Sequence, residues 1–279
     1  MIPYPIEISP DVELIRDVQY GSADGMALRL DLARPRSRGA GKLLPAIVYF
    51  HGGAWQSGSK EDGVPAICYY AQYGFVAASV DYRLSGVARF PAQIEDCRCA
   101  VRFLRANAAE DGIDPERIGA MGASSGGHLA ALLGLTGDEG QFADKGGWEG
   151  VSSGVSAVCD LFGPSDFPRM PRKSLPDAIS ATAQFLGGSI DDVPEVYVKA
   201  SLLSHVHAGA PPFLIIHGAQ DPVVPLSQSE LLRDALLRAG AEVEFHAIER
   251  AGHGSREVVN PEVRGWILRF FEGRLGKAL

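Results

Sequence analysis

The chain has 279 residues, 46% hydrophobic and 22% charged, with a formal net charge of −8. That balance fits a soluble globular protein with a sizeable core, and an acidic surplus without a Lys/Arg run argues against nucleic acid as a partner. No stretch approaches the roughly 18 apolar residues of a membrane span.

The first ten residues, MIPYPIEISP, have no basic start and no long apolar run, so a cytoplasmic protein without a signal peptide is expected. Residues 18–35 read as two antiparallel strands at a sheet edge, one around Gln19 and one over 27–32. Leu44–Phe50 (LPAIVYF) and 75–82 (FVAASVDY) are short β-rich runs. Residues 91–107 show helical spacing through Ile94, Val101 and Leu104. A brief strand over 117–121 precedes a helix over 129–135, and 155–162 is again strand-like. Residues 212–216 read as a buried strand, 226–239 as a helix with a leucine stripe, 243–248 as an alternating strand and 263–271 as a closing helix. This alternation predicts an α/β fold in one domain spanning 1–279, with a mostly parallel sheet covered by helices on both faces. Residues 165–207, rich in Pro, Gly and Ser, break the alternation and are too long for a plain connection. They are expected to form a lid or pocket insertion. Cys68, Cys97, Cys99 and Cys159 lack metal or redox spacing and read as buried thiols, so no metal is expected.

The chemistry-bearing residues fall at strand ends. Gly122-Ala123-Ser124-Ser125-Gly126 is a G-x-S-x-G pattern, weak alone but set directly between a strand and a helix. Such a strained turn lifts a serine off the sheet with a helix N-terminus behind it. Ser124 is the candidate nucleophile, and Ser125, the rival hydroxyl, would lend its backbone N–H. His51-Gly52-Gly53-Ala54-Trp55 follows the strand Leu44–Phe50. Its small residues leave amides bare, so Gly53 and Ala54 join Ser125 as candidate oxyanion donors. His51 reads as a structural group tying that loop.

A serine hydroxyl needs a base and an acid that orients the base. His253, in Ala251-Gly252-His253-Gly254 after the last strand, is the candidate base. Asp221, just past the 212–216 strand, is the candidate acid. Asp160 and Asp166 are its rivals after the preceding strand. His128, His205, His207, His217 and His246 are less well placed, with His217 expected to brace the acid loop. Trp55 is a candidate substrate-binding residue, and Tyr82, Phe162 and Phe167 are further aromatics that could line a pocket.

These stretches, with Asp81-Tyr82-Arg83-Leu84, Phe90-Pro91-Ala92-Gln93 and Asp221-Pro222-Val223-Val224-Pro225, cover about residues 40–260 in order. Together they resemble the α/β-hydrolase esterases near the hormone-sensitive-lipase group, and within it the bacterial carbohydrate-esterase-like subgroup that includes feruloyl esterases. Ala54 stands where many of those have Gly, and Ser125 where Ala is usual. Backbone donation survives both changes, and the Ser125 hydroxyl is expected to add polarity to the pocket. The resemblance implies an α/β-hydrolase fold and a serine carboxylesterase acting on short-chain acyl or aryl esters of small molecules, with no cofactor. An amide or formamide hydrolase resembling kynurenine formamidase, or a peptidase, is compatible with the same triad. A non-catalytic binding protein is the alternative of a different class, and the presence of His253 weighs against it.

Overall fold

The computed structural model describes residues 8–37, 39, 41–138, 140–171 and 176–276. Leu44–Phe50 has the sequence of a strand covered on both faces, and all seven of its residues are buried. It is β3 of an eight-stranded sheet that also contains β1 (Val12–Ala23), β2 (Met26–Pro35), β4 (Val76–Val80), β5 (Ile113–Ala123), β6 (Ala157–Leu161), β7 (Phe213–Gly218) and β8 (Val243–Ile248). The spatial order is β1-β2-β4-β3-β5-β6-β7-β8. β1 and β2 pair antiparallel, as do β2 and β4. Every pairing from β4 to β8 is parallel. All the carboxyl ends of β3 through β8 therefore share one rim, the usual place for a site in such a sheet.

The helices are α1 (Val64–Gln72), α2 (Ala92–Ala106), the short α3 (Ala108–Asp111), α4 (Ser125–Thr136), α5 (Pro176–Leu186), α6 (Pro194–Ala200), α7 (Ser227–Arg238) and α8 (Pro261–Leu275). One core cluster joins Val48, Phe50 and Ala120 of the sheet to Ile94, Val101 and Leu104 of α2 and Leu129, Leu132 and Leu133 of α4. The other joins Tyr49, Met121 and Leu161 to Ile67 and Tyr70 of α1 and Ile267 and Phe271 of α8. α4 is apolar on all sides, and every residue except Gly134 is buried. Such a helix belongs in the core of a layered protein.

The expected edge strands are present as β1 and β2. The sequence reading missed α1 and did not foresee α5 and α6 inside the expected insertion. The insertion is folded into the core: Phe185 of α5 is fully buried, and Phe90 N–H donates to its carbonyl (2.9 Å). Residues 172–175 of the insertion and 1–7 of the N-terminal stretch lie outside the described residues. The four cysteines are free and buried. Among the described residues, no helix is long and apolar enough to cross a membrane.

Candidate active site

β5 ends at Ala123 and α4 begins at Ser125, so Ser124 occupies the turn between them. Its backbone sits at φ 55°, ψ −120°. Such a conformation costs an L-residue roughly 1–3 kcal/mol and persists only where its surroundings enforce it. Ser124 N–H donates to Leu161 O (2.8 Å), and Ser124 O accepts from His128 N–H (3.0 Å). The flanking glycines permit the tight packing. A Cβ on Gly126 would lie 2.0 Å from Phe50 O, and one on Gly122 would lie 2.2 Å from Gly126 O.

The parallel register brings two further loops to the same rim. Asp221 follows β7 and His253 follows β8. Ser124 Oγ donates to His253 Nε2 at 2.9 Å, and His253 Nδ1 donates to Asp221 Oδ2 at 2.6 Å. The Asp221 side chain is fully buried, whereas that of His253 is 19% exposed, which leaves the imidazole open to a substrate. Asp221 Oδ1 accepts the N–H groups of Val223 (2.7 Å) and Val224 (2.9 Å). Burial pushes the Asp221 carboxyl up, but hydrogen bonds from His217, His253 and the Val224 N–H outweigh it and hold the group well below the usual carboxylate range. The acid thus stays an anion beside the imidazole. His217 braces this loop, with Nε2 donating to Val224 O (2.8 Å) and Nδ1 accepting from Ser229 Oγ (2.7 Å).

The loop after β3 turns back through three consecutive left-handed residues, Gly53 (φ 118°), Ala54 (φ 53°) and Trp55 (φ 59°). The N–H groups of Gln56 and Ser57 close it onto Gly53 O (3.0 and 3.1 Å). Gly53 and Ala54 face the same cavity as Ser124. His51 ties the loop from below: Nδ1 donates to Gly52 O (2.7 Å), and the ring stacks on Tyr82 with centroids 4.3 Å apart. Burial lowers its basicity, so the ring acts as a neutral brace. The next turn is pinned by Lys60, whose N–H donates to Asp81 Oδ1 (2.7 Å) and whose ammonium pairs with Asp31 (3.1 Å). Ser125 is the first residue of α4, so its N–H has no acceptor within the helix.

Ser124, Gly53, Ala54 and His253 border a cavity of about 680 Å³. That is the size of sites that take up small organic ligands. Phe162 lines it and meets the His253 ring edge-on at 4.9 Å. Two expectations are corrected. Trp55 does not line the cavity. Its left-handed backbone turns the side chain into the core, 4% exposed, stacked on Phe185 at 4.2 Å and set edge-on to His128 at 5.4 Å. The indole holds the glycine loop from behind. Trp55→Ala is therefore expected to destabilise the fold by about 3–5 kcal/mol, measured by urea unfolding. An unchanged midpoint would contradict this packing role. The Ser125 hydroxyl also adds nothing to the pocket, because the residue is 1% exposed and lies outside the lining.

The rivals are held elsewhere. Asp160 is buried, accepts Gly163 N–H at 2.9 Å, and is pushed up to about 6, chiefly by burial. Asp166 pairs with Arg169 at 3.3 Å. His128 bonds Ala200 O, His205 bonds Lys199 O, and His246 stacks on Trp266. His207 Nδ1 accepts Gly209 N–H. Of the other aromatics, Tyr82 is buried against His51, and Phe167 borders a smaller cavity of about 200 Å³. The sequence reading missed the lining from α1 and α8, notably Ala66, Tyr69, Val263 and Ile267. The Val64-Pro65 start followed by Ile67, Cys68, Tyr70 and Ala71 was the available signal for α1, since proline is well suited to the first helical turn.

A serine at a strand–turn–helix elbow, with an imidazole and a carboxylate on the rim of a mostly parallel sheet, defines an α/β-hydrolase. The chain belongs to the BD-FAE family, whose model matches residues 30–236. It is 35% identical over 246 residues to Esterase LipC of Mycobacterium tuberculosis, covering 86% of this chain and 59% of that protein. A truncated carbohydrate esterase from gut microbiota superposes with a TM-score of 0.85 at 31% identity, covering 95% of this chain and 97% of that one. The Thermogutta terrifontis esterase Est2 with propionate bound gives a TM-score of 0.77 at 28% identity, covering 99% and 98%. The chain spans between 53% and 59% of the length of the first three curated relatives it matches.

Proposed function

We propose that the chain is a serine carboxylesterase that hydrolyses short-chain acyl or aryl esters of small molecules through an acyl-enzyme on Ser124. The observation that carries this reading is the continuous relay from Ser124 Oγ through His253 to Asp221, at 2.9 and 2.6 Å, opening on the large cavity. The esterases among its relatives support it, and Est2 structures with propionate and butyrate suggest acyl groups of that kind.

In this mechanism Ser124 Oγ bonds to the ester carbonyl carbon as its proton passes to His253 Nε2. The carbonyl oxygen becomes an oxyanion held by the N–H groups of Gly53, Ala54 and Ser125, each such donor contributing about 3 kcal/mol in the transition state. Asp221 fixes the imidazole tautomer and stabilises the imidazolium. The bond to the alcohol oxygen then breaks, and His253 returns its proton to that oxygen. Water repeats the attack on the acyl-enzyme, giving a proton to His253, and Ser124 leaves with it. The insertion, through Phe185 on Trp55, keeps the donor loop in place.

The discriminating experiment compares kcat/KM for p-nitrophenyl butyrate and for N-formylkynurenine. The ester is expected to be preferred by at least about 100-fold. Preference for the formamide would replace this reading with an amide-hydrolase one.

A further inference from the structure

We infer that the chamber between α1 and α8 is the acyl site, and that it admits apolar acyl arms longer than butyryl. This deepens the esterase reading and rests on it. The cavity beside Ser124 continues onto the sheet face that carries these two helices. Met121 and Leu161 form its floor, Ala66 and Tyr69 of α1 border one side, and Val263 and Ile267 of α8 border the other. The Arg264 guanidinium lies 5.5 Å from the centre of the Tyr69 ring, so the two helices are bridged at the chamber wall.

Topology assigns the two arms of the substrate. Ser124 follows β5. The acid and base follow β7 and β8, on one side of it, while α1 packs on β2 and β4, on the other. The leaving alcohol takes its proton from His253 and so departs on the β7–β8 side. The arm that runs past the glycine loop toward α1 is the acyl arm; α8, the chamber's other wall, packs on β5 and β6, and His253 and Gly254 border the end of the chamber where the two arms meet. The smaller cavity lies on the opposite, alcohol side, and Val223 of the acid loop borders both. A cavity of about 680 Å³ far exceeds what an acetyl group fills, and Ala66, Met121, Leu161, Val263 and Ile267 give it apolar wall, with Gln56, Ser57 and Asp62 as polar residues on the glycine-loop side.

The test measures kcat/KM for p-nitrophenyl acetate, butyrate and hexanoate, and for acetates of alcohols of increasing size, on the wild-type chain and on Ala66→Trp. Ala66 faces the chamber from α1, so the indole occupies the acyl path. Wild type is expected to use hexanoate at least as well as acetate. In Ala66→Trp the hexanoate-to-acetate ratio of kcat/KM should fall more than about tenfold, the scale of methylene discrimination in a hydrophobic pocket, while the alcohol series keeps its order. An unchanged ratio, or a shift in the alcohol series instead, would overturn the assignment. A crystal structure of the wild-type chain phosphonylated with p-nitrophenyl hexylphosphonate decides the matter even if the variant fails to fold. A hexyl chain lying between α1 and α8 supports the assignment, and one lying against Phe167 and Pro225 of the smaller cavity refutes it. If the wild-type chain neither turns over any of the esters nor accepts the phosphonate, the esterase reading itself fails, a result distinct from a misplaced hexyl chain.

Discussion

Ser124→Ala is expected to turn over p-nitrophenyl acetate about 10⁵-fold more slowly than the wild-type chain, with an unchanged circular dichroism spectrum. The magnitude follows from the interdependence of the relay, in which removing one member costs nearly as much as removing all. Without Oγ no acyl-enzyme forms, and His253 Nε2, which accepts from that oxygen at 2.9 Å, has no proton to take. The backbone strain at φ 55° is the same for alanine as for serine, so folding is not the quantity that changes. Hydrolysis within tenfold of wild type by the purified variant would remove Ser124 from the mechanism. Ser125 does not offer a substitute, because it is buried outside the cavity lining.

Asp221→Asn is expected to lower kcat about 10⁴-fold with little change in KM. The acid's two oxygens have separate duties. Oδ1 receives the N–H groups of Val223 and Val224, and Oδ2 receives His253 Nδ1–H. An asparagine keeps its carbonyl oxygen on the two amides and turns its NH₂ toward the imidazole. A donor then faces Nδ1, which must become an acceptor, and the ring proton moves to Nε2, the atom that has to accept from Ser124. The expected signature is slow turnover that recovers in part at high pH, where hydroxide competes for the serine proton. A variant with wild-type kcat at pH 7 would show that Asp221 does not set the tautomer.

The convergence of Ser124, the glycine loop, Asp221 and His253 was legible because each lies immediately after a strand with a plain β signature, and a parallel sheet sends all such ends to one rim. Leu44–Phe50 and Val243–Ile248 were read with their observed bounds. β5 was read short because Asp114-Pro115 looks like a turn, yet the strand begins at Ile113, which pairs with Leu44. The pairing with β3 then skips 114–117 and resumes at Ile118 opposite Ala46, and Glu116 N–H donates to Asp114 Oδ1 (3.1 Å), so the turn is present as an irregularity within the strand. α5 and α6 were hidden by the Pro and Gly around them; α6 has only seven residues, too few to be stable alone. They are held by packing, as at Phe185, which leaves no periodic trace. Trp55 was misread for a related reason. Adjacency to the glycine loop suggested a pocket residue, but three successive positive φ angles, invisible in the residue types Ala and Trp, direct its side chain inward. The α1–α8 chamber combines side chains distant in sequence, and no local motif marks it.

The central claim is that Ser124 is activated by His253 within one relay. Mapping of a fluorophosphonate adduct by intact mass and peptide sequencing tests it most directly, on the wild-type chain and on His253→Ala side by side. The account predicts one adduct per chain, on Ser124, forming on the wild type and slowed by more than about 1,000-fold when the imidazole is removed. Stoichiometric labelling of any other residue, or labelling at the same rate in both proteins, would contradict it.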